Sequence, residues 1–126
     1  MAAVSQYAAL AAITGDQTCV EEMRATYEER INTLYPLLNA IPGFKLDVKP
    51  AGAFYAFPDV SEAVKLTGFG STDEFVSALL DEAHVAVVPG AAFGMDDHVR
   101  ISYATSMDVL KEAVQRIQAF MADHQK

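Results

Sequence analysis

Residues 85–104 read VAVVPGAAFGMDDHVRISYA, and the fold turns on them. Val85-Ala86-Val87-Val88 is a short continuous apolar run closed by Pro89-Gly90, the pattern of a buried strand. From His98 to Ala104 apolar and polar residues alternate, so Val99, Ile101 and Tyr103 share one face of a strand and Arg100, Ser102 and Ala104 the other. Residues 89–97 between them are turn-rich and too short for a helical crossover. The two strands are therefore expected to pair antiparallel.

Two further strands are expected upstream. Phe44-Lys45-Leu46-Asp47-Val48 alternates apolar with charged residues, and Ala53-Phe54-Tyr55-Ala56-Phe57 follows the Pro50-Ala51-Gly52 break. A turn of helix is expected over residues 61–65, after Asp59. Gly68-Phe69-Gly70 then leads into Ser71-Thr72-Asp73-Glu74, a capping box for a helix with Phe75, Val76, Leu79 and Leu80 on one face. The glycine pair reads as a flexible entry to that helix rather than a phosphate loop.

The outer segments are helical. Residues 3–13, AVSQYAALAAI, favour helix by composition and stop at Thr14-Gly15. Val20, Met23, Tyr27, Ile31, Leu34, Leu38 and Ile41 recur at steps of three and four, which predicts one long amphipathic helix. Thr18 and Glu21 have the spacing of a capping box for its start, and Pro36 is expected to kink it or hand it over to a separate last turn. A final helix is expected from Ser106 to about Asp123, with Leu110, Val114, Ile117 and Met121 inward. The sum is an α/β chain of the α+β kind: a two-layer sandwich whose small mixed or antiparallel sheet is packed by helices and preceded by a long one.

Composition excludes several classes of function. At 126 residues the chain is expected to be a single domain. Its formal charge of −8, with no basic cluster, opposes nucleic acid and anionic membrane surfaces. No stretch has the length and apolarity of a transmembrane helix, and the opening lacks the basic start of a signal peptide. The single cysteine, Cys19, has no disulfide partner, which fits a reducing compartment and points to the cytoplasm. An apolar, Ala-rich segment from residue 2 reads as the interior of a longer polypeptide, so a fragment is expected.

Chemistry-bearing residues are few. There is no Ser/His/Asp arrangement, no paired carboxylate set and no phosphate loop. His84, His98 and His124 are far apart and lack adjacent ligands, so no metal site is expected. Arg100 stands out, because a guanidinium flanked on its face by Ser102 and Ala104 leaves room for a carboxylate to take two parallel hydrogen bonds. A solvated arginine, or one paired with Asp96 or Asp97, fits the same spacing.

Three segments in the same order resemble the C-terminal third of class I pyridoxal-phosphate-dependent aminotransferases of the bacterial aspartate aminotransferase type. They are Pro50-Ala-Gly-Ala-Phe-Tyr-Ala-Phe57, Val85-Ala-Val-Val-Pro-Gly-Ala-Ala-Phe-Gly94 and Val99-Arg-Ile-Ser-Tyr-Ala-Thr-Ser106. Gln6 to Ala12 and Glu112 to Ile117 resemble family helices before and after them. The resemblance implies the small domain of a fold-type I aminotransferase over residues 16–126. Residues 1–15 would be a residual helix that packs on a large domain of the same chain.

It further implies that Arg100 binds the α-carboxylate of an amino-acid or 2-oxo-acid substrate, with aspartate as the expected amino acid. No catalytic or cofactor-binding residue is expected within this chain, because the Schiff-base lysine and the phosphate donors would lie upstream. None of Lys45, Lys49, Lys65, Lys111 and Lys126 follows the Ser-rich approach that the family uses. Alone, the chain should be inactive and bind no pyridoxal phosphate, whereas the full-length enzyme would be a homodimer. Alternatives are an aromatic aminotransferase or cysteine-conjugate lyase with the same small domain, or a stand-alone small-molecule-binding regulatory domain.

Overall fold

A computed structural model describes residues 2–125. Helix α1 spans Ala3–Thr14 and α2 spans Thr18–Asn39. Strand β1 (Tyr55–Ala56) leads to α3 (Ser61–Thr67) and α4 (Thr72–Ala83). Then come β2 (Val88–Pro89), a 3-10 turn at Gly90–Phe93, β3 (Val99–Ser102) and α5 (Met107–His124).

The sheet has the order β1-β3-β2 and both pairings are antiparallel, as expected for the last two strands. Tyr55 lies opposite Ser102 and Val88 opposite Arg100, so these four side chains share one face. The alternate residues Val99 and Tyr103 are buried on the other face, with Ala56 of β1. There they join a core built by Leu34 and Leu38 of α2, Phe75 and Leu79 of α4, and Ile117 and Met121 of α5. Each such aliphatic or aromatic side chain contributes about 1.5–3 kcal/mol by leaving water.

All four expected strands are shorter in the structure, each for a local reason. Residues 44–48 form only an isolated bridge between Lys45 and Asp59, because the Asn39 side chain takes both backbone groups of Leu46. Phe44 and Leu46 point inward as expected, but Val48 is exposed. The 53–57 strand keeps only two residues, because Ala53 is left-handed with φ 57 and Pro58 follows Phe57 without an amide proton. The 85–88 run enters the sheet only at Val88; Val85 is buried and Val88 part exposed. Residues 98–104 pair from Val99 to Ser102, and His98 instead bridges Asp59.

The helices follow the expected pattern with four corrections. Thr18 does not cap α2: its amide and hydroxyl donate to Asp16 Oδ1 at 3.1 and 2.7 Å, while Glu21 pairs with Arg24 instead of reaching back. The helix runs unbroken through Pro36 to Asn39, since Leu34 and Leu38, on either side of it, are both anchored in the core. Val20 and Met23 are exposed, so the inward stripe of α2 begins only around the half-buried Tyr27. Leu80 is exposed as well.

Ser71 does cap α4, accepting from Glu74 N at 3.2 Å, and Glu74 in return accepts from Gly70 N at 2.9 Å. The turn expected after Asp59 is the seven-residue α3. Helix α1 is apolar on every side yet buries no residue against the rest of the described chain; Val4, Tyr7 and Ile13 are each at least 75% exposed. A helix of that character is stable only under cover.

Gly90 makes the turn between β2 and β3 possible. A Cβ there would lie 2.2 Å from Met95 O and 2.6 Å from His98 O, both backbone atoms that cannot step aside. Gly90→Ala should therefore lower unfolding free energy in urea melts by about 2 kcal/mol. Gly52→Ala, in open space, should change it by less than about 0.5 kcal/mol.

Candidate functional site

Arg100 occupies the middle of the central strand, between the fully buried Val99 and the half-buried Ile101. Alternation sends its side chain to the face away from the core. The guanidinium carbon stands 4.6 Å from the ring centre of Tyr55 and 4.5 Å from that of Phe93. Tyr55 comes from β1 and Phe93 from the turn after β2, so one ring approaches from each flank of β3. Both separations fall well inside the range of cation–π attraction.

The aromatic contacts continue outward. Phe93 meets Phe57 edge-on at 6.0 Å, and Phe57 lies against the His98 ring at 5.1 Å. Phe54 backs Tyr55 at 4.4 Å. Neither Asp96 nor Asp97 forms an ion pair with Arg100, and among the described residues its guanidinium makes no hydrogen bond. Its N–H groups are held in place by rings but left unspent. A guanidinium in that state is chemically able to take a planar anion, and a carboxylate matches its fork.

Tyr55 and Phe93 flank Arg100, although nothing in the sequence pattern singles either of them out. The available signal was register: Tyr55 faces the same way as Arg100 across one paired residue, and Phe93 ends a tight turn beside the strand. The histidines stay apart. His84 caps α4, His98 flanks Phe57, and His124 approaches Glu82 with Nε2 at 3.3 Å from Oε2. No group of three metal-capable side chains exists among the described residues, and none of their helices is long and apolar enough to cross a membrane. A groove of about 370 Å3 between α2, α5 and residues 84–87 does not include Arg100.

The lysines do not fit an aldehyde cofactor. Lys45 pairs with Asp47 at 3.2 Å and Lys49 donates to Asn32 Oδ1 at 2.8 Å, both in the open. Lys65 and Lys111 are exposed on helix surfaces, and Lys126 lies outside the described residues.

Asp59 ties neighbouring segments together: its backbone bridges both Lys45 and His98, and its carboxylate accepts from the Ser61 amide at 2.8 Å. Burial pushes its carboxyl up, but hydrogen bonds from Ser61 and the nearby His98 and Lys45 outweigh that and hold it below its ordinary 3.8.

The chain shares its fold with fold-type I aminotransferases. A solved structure of aspartate aminotransferase from Rhizobium meliloti superposes with a TM-score of 0.83 at 37% identity, over 98% of this chain and 32% of that one. Residues 1–117 match the family model for aminotransferase class I and II. This chain belongs to the class I and II aminotransferase family. It is 60% identical over 117 residues to an aspartate aminotransferase of Bacillus sp. (strain YM-2), covering 93% of this chain and 30% of that protein. It is 56% identical, over the same shares, to an asparagine–oxo-acid transaminase of Streptococcus mutans. The chain thus spans about 30% of the length of these curated relatives.

The Asp59 carboxyl yields a pH prediction. A lowered folded-state value means its stabilisation is complete above 3.8 and disappears as pH falls through the lower folded value. Asp59→Ala should cost about 1 kcal/mol near neutral pH in urea melts. That cost should shrink steadily on acidification below 3.8.

Proposed function

We propose that this chain is the C-terminal small domain, residues 16–126, of a pyridoxal-phosphate-dependent aminotransferase, and that Arg100 binds the substrate α-carboxylate. The observation that carries the reading is the state of Arg100: bracketed by two rings, on the outward face, with no hydrogen-bond or ion-pair partner for its N–H groups among the described residues. An amino acid or 2-oxo acid presents the complementary planar anion, and a bidentate pair fixes its orientation as well as its affinity.

Pyridoxal phosphate would be held by the large domain of the same polypeptide, since the residues described here do not fit it. This domain's part is to bind and orient the substrate and, by closing on it, to exclude water. Helix α1, residues 3–14, would lie under that large domain, which accounts for its exposed Val4, Tyr7, Leu10 and Ile13. The whole enzyme would work as a homodimer in the cytoplasm.

Aspartate is the amino donor favoured by the likeness to aspartate aminotransferases at up to 60% identity. Asparagine is a second reading, supported by the 56% identical transaminase named for it. Arg100 suits both, because the two share the α-carboxylate and differ only at the far end of the side chain.

In the complete enzyme, Arg100→Lys should reduce kcat/KM for aspartate with 2-oxoglutarate at least about a hundredfold, because the planar two-pronged contact is lost. Steady-state kinetics measure this. Efficiency within about threefold of the parent would contradict the assignment.

A further inference from the structure

We propose that Tyr55 and Phe93 are positioning residues for this site: their rings hold the Arg100 guanidinium in place between them. The proposal rests on the reading of Arg100 as the carboxylate anchor and adds what makes that anchor effective.

A free arginine side chain samples many rotamers, and each must be surrendered when a carboxylate is gripped at both prongs. Here the choice is already made. The guanidinium carbon is 4.6 Å from one ring centre and 4.5 Å from the other, with no hydrogen bond or ion pair from the described residues competing for its orientation. Preorganisation of this kind raises affinity by removing the ordering cost from the binding step.

Both rings are themselves fixed. Tyr55 is paired across the sheet with Ser102 and backed by Phe54. Phe93 ends the 3-10 turn that Gly90 N closes onto His98 O at 2.7 Å, and Phe57 holds it edge-on.

This arrangement assigns the two residues an effect on substrate binding that passes through Arg100 and depends on an aromatic ring rather than on bulk. In the complete holoenzyme, Phe93→Leu and Tyr55→Leu should each lower kcat/KM for aspartate about tenfold, mainly through KM. Phe93→Tyr and Tyr55→Phe, which keep the ring, should stay within about twofold. In an Arg100→Lys background the Leu changes should have little further effect, because the planar group they position is gone.

Melting temperatures check that each variant is folded, and Phe93→Met or Tyr55→Met replaces any that is not. Leu variants at parental efficiency, with Arg100→Lys crippled, would overturn the positioning role and leave the anchor standing. Equal losses in the two backgrounds would mark the rings as mere structural support and overturn it too. A normal Arg100→Lys enzyme would overturn both readings at once.

Discussion

The burial of Val99 and Tyr103 in the helix-packed core decides which way Arg100 points. A strand offers its side chains to alternate faces, so two anchored residues leave the one at Arg100 no choice but the outer face. A slip of one residue in register would bury the guanidinium and expose a tyrosine, and an unpaired buried charge costs several kcal/mol. The core and the candidate site are thus enforced by the same extended segment, residues 99–103. The turn at Gly90 matters for the same reason: it is the hairpin that holds Val88 opposite Arg100 and brings Phe93 to the guanidinium.

Much of this was legible in the residues. The alternation across 98–104, the short 89–97 connection and the apolar faces of α4 and α5 predict the antiparallel pairing and the main core residues that are observed. What the pattern could not convey was competition for backbone groups. Asn39 takes the amide and carbonyl of Leu46 out of any ladder, Asp16 takes the hydroxyl of Thr18 from its capping role, and the left-handed Ala53 shortens β1. Each is a contact, or a strain, that periodicity does not encode. The site was half legible. Arg100 stood out on its strand, but the cation–π contacts of Tyr55 and Phe93 arise from three separate segments meeting, and aromatic residues in a sequence look alike whether they fill a core or clasp a cation.

The apolar surplus has a place in this account. Composition is 52% hydrophobic, yet α1 and the first turns of α2 bury little against the rest of the described chain. The chain belongs to the class I and II aminotransferases and spans about 30% of the length of its curated relatives. Arg100 carries the unspent guanidinium, and the described lysines whose partners are known, Lys45 and Lys49, are engaged on the surface.

The central physical claim is that two rings bracket the Arg100 guanidinium and hold it still. Nuclear magnetic resonance of the isotopically labelled chain reads this directly through the Arg100 side-chain protons. Protons held between two aromatic rings are shifted upfield by the ring currents, so the account predicts upfield-displaced Hδ and Hε signals that return to ordinary positions when Phe93 or Tyr55 is replaced by leucine. Arg100 side-chain shifts at ordinary free-arginine values in the parent chain would contradict it.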